Sequence, residues 1–479
     1  GPMAVGDAGG TDGADGWPAE KLFRAMQPRG LSFNDMVLLP GTGVNPPVAT
    51  VGVATSLTKN LNINLPVIGG PCAEACEDTM AVALALMGGI GIIHRNQSAT
   101  DQAAMVKKVK FHQQGFILNP HTLGPRATVM EAKRLVRQEG CGGIPVTGNG
   151  RMGGRLVGLV TARDLDAAED DSANIDSIMT TDVKFVQEPV TLREARDFMR
   201  TERVAKLPIL NKEKEMVALI CRGDVKQERA FASASRDANK QLLVAAALRA
   251  NEEDRLKALV DAGVDVLCLE TDEGVSEDAV EFLREIKSRH PAIDVIAGRV
   301  NTCRQAKCLA EAGADALLVG EPFSGPGSPV GPSEATTLFE VTKYVRQTFG
   351  VPIIADGGIR DPACMLKALC LGASSVTLNE PLSRTEEAPG EHFYREGVRV
   401  KLRADGVESA MVDMGSASAM VQHYVQCIKG GLQELGVKGV GGIQPALGGG
   451  ILRFEVQYAP PPEETLQLAP AASSCLNNA

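Results

Sequence analysis

Eight short, continuously apolar runs, several followed by a segment of helical period, set the strongest limit on how this chain folds. They are residues 65–70, 91–94, 242–247, 264–270, 294–299, 314–320, 351–358 and 373–379. None alternates apolar with polar, and unbroken runs of this length suit strands buried on both faces. Residues 252–262, 277–289, 304–312 and 363–371 carry the amphipathic stripe of helices lying on such a sheet. Three of these helices stop alike, at Ala262-Gly263-Val264, Ala312-Gly313-Ala314 and Leu371-Gly372-Ala373. Glycine at a helix end accepts the left-handed conformation that turns the chain into the next strand. Eight strand–helix units predict an α/β fold, a (β/α)8 TIM barrel, with a doubly wound open sheet as the alternative.

Between the second and third runs lies an insert, residues 112–236, that contains an internal duplication. Its first half reads Gly143-Ile144-Pro145-Val146, then an apolar run closing on Thr161-Ala162-Arg163-Asp164. Its second half reads Lys206-Leu207-Pro208-Ile209, then a run closing on Cys221-Arg222-Gly223-Asp224. The organisation that follows is a disordered Gly/Ala/Asp-rich tail over 1–15, a first barrel part over 16–111, the insert, a second barrel part over 237–458 and a flexible tail over 459–479. The Gly-rich stretch 436–450 lacks a dinucleotide fingerprint and reads as a loose turn.

A net charge of −10 argues against nucleic acid or an acidic membrane surface as partner. No apolar run reaches membrane-spanning length, and no basic-apolar leader opens the chain; Gly1-Pro2-Met3 reads as a protease scar before a native Met. The eleven cysteines show no C-x-x-C pair and no zinc spacing, so we expect reduced thiols, no metal site and a cytoplasmic location. Cys72, Cys76, Cys303 and Cys308 read as small packing residues, and His94 as a structural hydrogen-bonder.

The duplicated insert resembles a tandem pair of CBS modules, the Bateman arrangement. The resemblance implies that Asp164 and Asp224 accept from ribose hydroxyls, with Thr161, Arg163, Lys206 and Arg222 near phosphates of ATP or GTP. The competing reading makes each Asp a helix cap.

The whole chain from about residue 15 to 455 resembles inosine-5′-monophosphate dehydrogenase of the animal type. The resemblance rests on Leu31-Ser32-Phe33-Asn34-Asp35, Gly88-Gly89-Ile90-Gly91-Ile92-Ile93-His94, Ile354-Ala355-Asp356-Gly357-Gly358-Ile359 and Glu387-Ala388-Pro389-Gly390-Glu391. It implies a cysteine that attacks the purine, hydride transfer to NAD, a potassium ion on the cysteine loop and a flap arginine that activates water. Asp356, Gly357 and Gly358 match the nucleotide-ribose motif, and Glu270 replaces an Asp at strand four.

The departures fall in one place. Residues 320–340 hold no Cys, with Gly327 or Ser328 its nearest counterpart. Asn379-Glu380 replaces Gly-Ser at the phosphate, where a carboxylate repels. Arg299 stands for Asn, Leu318 for Arg, Gly70 and Cys72 for Ser and Met, and the flap shrinks to 406–424 without its Arg-Tyr pair. The expectation is a family member with no catalytic residues, a nucleotide-binding regulatory or assembly protein of purine (GMP) metabolism. Tetramers or octamers, alone or with active subunits, would be its assemblies. A divergent active IMP dehydrogenase, or a GMP reductase-like enzyme, is the alternative, and only there do NAD and K+ enter.

Overall fold

The eight runs close into a barrel of parallel strands in the computed structural model: β1 (Val67–Gly69), β2 (Ile90–Ile93), β3 (Ala245–Leu248), β4 (Val266–Glu270), β5 (Asp294–Val300), β6 (Ala316–Val319), β7 (Ile353–Ala355) and β8 (Ser375–Thr377). The structure describes residues 15–27, 30–41, 46–112, 116–117, 120–139, 143–168, 170–190, 192–221, 231, 233–239, 241–271, 275–320, 333–395, 398–402, 408–410 and 414–457. Each strand pairs with its sequence neighbour, and β8 pairs with β1 to close the ring. The open-sheet alternative is thereby excluded.

Side chains alternate across the strands despite their uniform apolarity. Ile68, Ile92, Ala245, Cys268, Ile296, Leu318 and Ile354 fill the interior, whereas Val67, Ala246, Leu267, Val295, Leu317 and Ile353 face the helices. Leu57 and Ile63, from the hairpin Thr55–Ser56 with Asn62–Ile63, plug the amino end.

The outer ring comprises α1 (Asp78–Met87), α2 (Ala99–Phe111), α3 (Glu253–Asp261), α4 (Glu277–Arg289), α5 (Cys303–Glu311), α6 (Glu334–Phe349), α7 (Pro362–Cys370) and α8 (Ala417–Glu434). The start signals are local: Ser276 accepts from Ala279 N, Thr302 and Gln305 form a reciprocal box, and Asp361 accepts from Cys364 N with Pro362 at the first position. All three predicted glycine stops carry positive φ, +82° at Gly263, +105° at Gly313 and +112° at Gly372.

The duplication of the insert reappears as two hairpins with one register. Gly143–Thr147 pairs with Leu156–Thr161, joining Gly143 to Thr161; Lys206–Leu210 pairs with Met216–Cys221, joining Lys206 to Cys221. Both shift register near their far end, at Val146/Thr147 and at Ile209/Leu210. Each hairpin packs on helices of its own half, through Ile144 and Val160 on Val129 and Leu165, and through Leu207 and Ile220 on Ala195 and Met199.

One expectation fails. The stretch 436–450 is not a loose turn: Val440–Gly448 forms helix α9, with Val440, Ile443 and Ala446 buried at three-residue intervals. Tertiary burial of that stripe outweighs the low helix propensity of its glycines. Two sheets were not foreseen. Trp17–Pro18 and Met36–Leu39 flank Arg453–Val456, and Glu391–Arg395, Val398–Leu402 and Glu408–Ala410 form a meander, of which only the last strand falls in the stretch 406–424 read as a shortened flap; α8 also begins inside that stretch.

Candidate functional site

The carboxyl ends of the barrel strands gather two carboxylates and two guanidinium groups. Asp356 follows β7, and its side chain is fully buried. Its Oδ2 accepts from Arg299 Nε at 2.9 Å, and its Oδ1 accepts from Thr377 Oγ1 and, at 3.3 Å, from Asn379 Nδ2. Glu270 ends β4; its Oε2 accepts from Arg95 Nε at 3.1 Å, while its Oε1 lies 3.7 Å from the second guanidinium nitrogen of Arg299. Arg299 thus bridges the two acids that the sequence reading named.

Burial pushes the Glu270 carboxyl above its ordinary value, and Arg299 and Arg95 pull against that shift without cancelling it. Burial would lower Arg299, but Asp356 and then Glu270 more than reverse this, so its proton is held more tightly than usual. The cluster is mutually compensated: Arg299 serves both acids, and removing it leaves two buried carboxylates each with one counter-charge fewer.

Glycine makes the loop after β7 possible. Gly357 and Gly358 are left-handed, at φ +87° and +71°. A side chain on Gly320, itself at φ +113°, would put its Cβ 2.0 Å from the carbonyl oxygen of Asp356. Gly70 similarly leaves room for Asn379, whose Oδ1 is buried with no hydrogen-bond partner.

The thiols near this mouth are poorly placed for nucleophilic work. Burial pushes Cys72 up, against a lowering backbone hydrogen bond at Glu74, with the charges of Glu74 and Asp356 adding to the rise; burial likewise raises Cys268, with Glu270 adding, and Cys76. A nucleophilic cysteine needs the opposite shift. His94 Nε2 faces Glu77 Oε1 at 3.2 Å, and its Nδ1 accepts from the Asn96 amide, so it works as a structural link.

Glu380 departs from expectation. It is not a bare carboxylate: Arg384 donates to it at 2.6 Å and Arg360 lies 3.6 Å away, both at the surface. Its charge is largely neutralised, so repulsion of a phosphate is weaker than the sequence suggested.

In the insert, Asp164 Oδ2 accepts from both the amide and the hydroxyl of Thr161, each at 2.8 Å, which closes a capping box on the helix Ala162–Ala167. The stem of Lys206 crosses Gly143, where a Cβ would stand 2.7 Å from it. Gly143 pairs with Thr161, so the structure brings Lys206, Thr161 and Asp164 to one neighbourhood although they come from different repeats. Arg163 is exposed. Arg222, Asp224 and residues 321–332, including Gly327 and Ser328, lie outside the described residues.

Sequence reasoning missed Arg95 and treated Arg299 only as a departure. The available signal was position: each is a cation at, or just past, the carboxyl end of a barrel strand, where such folds build their sites. Among the described residues no cluster of three or more His, Cys, Asp or Glu could hold a metal, and no helix is long and apolar enough to cross a membrane.

Comparison with known proteins gives a consistent result. The family model described as IMP dehydrogenase / GMP reductase domain matches residues 30–404. The inosine-5′-monophosphate dehydrogenase of Toxoplasma gondii is 42% identical over 401 residues, 81% of this chain and 71% of that protein. The enzyme of the same name from Trypanosoma brucei brucei is 38% identical over 420 residues, covering 85% and 79%. A solved variant of GMP reductase from Trypanosoma brucei superimposes with a TM-score of 0.74 at 30% identity, covering 91% of this chain and 98% of that one. Another structure of that reductase, in complex with guanosine 5′-monophosphate, matches with the same TM-score and identity.

Proposed function

Because the chain belongs to the IMP dehydrogenase / GMP reductase family, we propose that it is a purine-nucleotide-binding member that does not carry out the covalent oxidation, and that it regulates or assembles in GMP metabolism. The observation that carries this reading is the Arg299–Asp356 pair. The carboxylate that the resemblance assigns to the nucleotide ribose is held by an internal cation. A nucleotide whose ribose takes that carboxylate has to displace Arg299 from it, which opposes binding.

Three further facts support it. Residues 320–340 contain no cysteine to form a covalent intermediate. The described thiols nearest the mouth, Cys72 and Cys268, are raised rather than activated. Glu270, which stands where the resemblance places an Asp at strand four, is likewise held by Arg95 and Arg299. On this reading the insert is the working nucleotide site, taking ATP or GTP at Thr161, Arg163, Asp164 and Lys206, with Arg222 and Asp224 in the second copy. Assembly into tetramers or octamers, alone or with active subunits, would be its output.

A second reading has one observation in its favour. The relatives at 34–42% identity are named as dehydrogenases, and they match over most of their length. In that reading NAD and potassium return, and the orphaned Oδ1 of Asn379 becomes an acceptor for a bound substrate. The two are separated by incubating the full chain with IMP and NAD, and with GMP and a reduced nicotinamide cofactor, with potassium present, and following nicotinamide absorbance. Steady turnover that disappears in Asp356→Asn would overturn the first reading; no absorbance change at high protein concentration would overturn the second.

A further inference from the structure

At the amino end of the barrel, opposite Asp356, lies a cavity of about 630 Å³. Its walls are the hairpin Thr55–Ser56 with Asn62–Ile63, the end of α6, the approaches to β7 and β8, and the first turns of α9. We propose that this cleft binds a small phosphate-bearing anion, with Arg346 as the cation that receives it.

Arg346 reaches the cleft from the last turn of α6. One terminal nitrogen donates to Ser374 Oγ at 3.0 Å, while its Nε is buried and has no hydrogen-bond partner. Among the described residues no carboxylate lines the cleft. A partly buried guanidinium without an acid is costly to maintain, and its fork of donors matches a phosphate better than any neutral group. Burial lowers the pKa of Arg346, as expected for a cation lacking a counter-charge.

The remaining wall is suited to the same ligand. Gly441 lies in the first turn of α9, among the amides that a helix leaves without internal acceptors. Thr55 Oγ1 donates to Ser374 O at 2.8 Å and Gln444 Nε2 to Gly372 O at 3.1 Å, so the polar rim is fixed in place. Ala54, Val351, Pro352 and Ile443 offer an apolar side for the organic part of a phosphate ester, and the volume falls in the usual range for small-molecule sites. The competing role for Arg346 is to complement the negative end of α6. That role accounts for the charge but not for its place on the wall of a cleft that no described carboxylate lines.

The test uses the full chain and inorganic phosphate as probe, with chloride at matched ionic strength as reference, read by calorimetric titration and by Tm. Two variants carry the decision. Arg346→Gln removes the cation. Gly441→Asp adds a carboxylate where a Cβ meets nothing within 4 Å, and an acid in the first turn suits the helix, so folding is preserved. The expected result is phosphate binding that each variant weakens by at least about tenfold, the loss of one charge-assisted contact. Absence of phosphate binding in the unmodified protein overturns the proposal. So does equal affinity in the protein and Gly441→Asp, which would place the phosphate in the insert or at the opposite mouth and leave Arg346 as a helix-end charge. Failure of Arg346→Gln to fold leaves Gly441→Asp as the deciding arm.

Discussion

Arg299 on β5 and Asp356 after β7 are joined at 2.9 Å across the intervening strand β6, so the ion pair spans the barrel mouth rather than following one strand pair. Leu318, on β6 between them, contributes only an apolar side chain to the interior. Charge compensation between non-neighbouring strands therefore spans the mouth, and the consequences can be measured.

Removing the bridge costs stability. Arg299→Ala leaves Asp356 with Thr377 and Asn379 alone and Glu270 with Arg95 alone. Urea unfolding is expected to show a loss of about 3–5 kcal/mol, the usual cost of stranding a buried charge. Adding Asp356→Asn to that variant should recover part of the loss. A double variant no more stable than the single one would mean the two residues are not coupled.

Removing the bridge should also open the mouth. Arg299→Asn frees Asp356 for ribose hydroxyls, and IMP should then bind more tightly than to the unmodified protein by calorimetric titration. Unchanged or weaker IMP binding would count against the ion pair as the obstacle.

Glu270 gives a pH signature. Because burial raises its carboxyl, the folded chain keeps this proton to higher pH than the unfolded chain does. The folded state then binds more protons, and this contribution to stability is lost as pH rises from the ordinary carboxylate range, about pH 4, through the raised value. Glu270→Gln cannot titrate, so the Tm of the protein minus that of this variant should fall across that window. A difference that grows with pH would contradict the direction of the shift.

Thiol reactivity should follow burial. Cys427 is exposed on α8, whereas Cys76 and Cys268 are buried and, like the partly buried Cys72, have raised thiols. Brief treatment with iodoacetamide, read by peptide mass spectrometry, should modify Cys427 well before these three. Rapid labelling of Cys72 would instead mark it as an activated nucleophile.

In the insert, Asp164→Ala and Asp224→Ala should each weaken ATP or GTP binding, and the double change should nearly abolish it. The Asp164 variant also loses a capping box, which costs about 1 kcal/mol of helix stability. Comparing Tm without nucleotide separates that local cost from the loss of ligand. Nucleotide affinity unaffected by both substitutions would remove the insert from the proposed function.

The barrel was legible in the sequence because its determinants are local and repeated. Continuous apolar runs, helical stripes and Gly263, Gly313 and Gly372 each state their own conformation within a few residues. The duplication in the insert was legible for the same reason, and its two hairpins keep one register. Asp356, Gly357 and Gly358 were found through a motif held in consecutive residues.

What the chain did not state locally, tertiary structure decided. Arg95, Glu270, Arg299 and Asp356 are separated by 29 to 261 positions and meet only because closure of the barrel brings four strand ends together. The neutralisation of Glu380 by Arg360 and Arg384, the folding of the glycine-rich stretch into α9, and the unpartnered Nε of Arg346 likewise depend on neighbours supplied by packing. Local pattern fixes backbone conformation through sterics and apolar period. The pairing of charges is fixed by distance in three dimensions and by the exclusion of water, and neither is written in the order of residues along the chain.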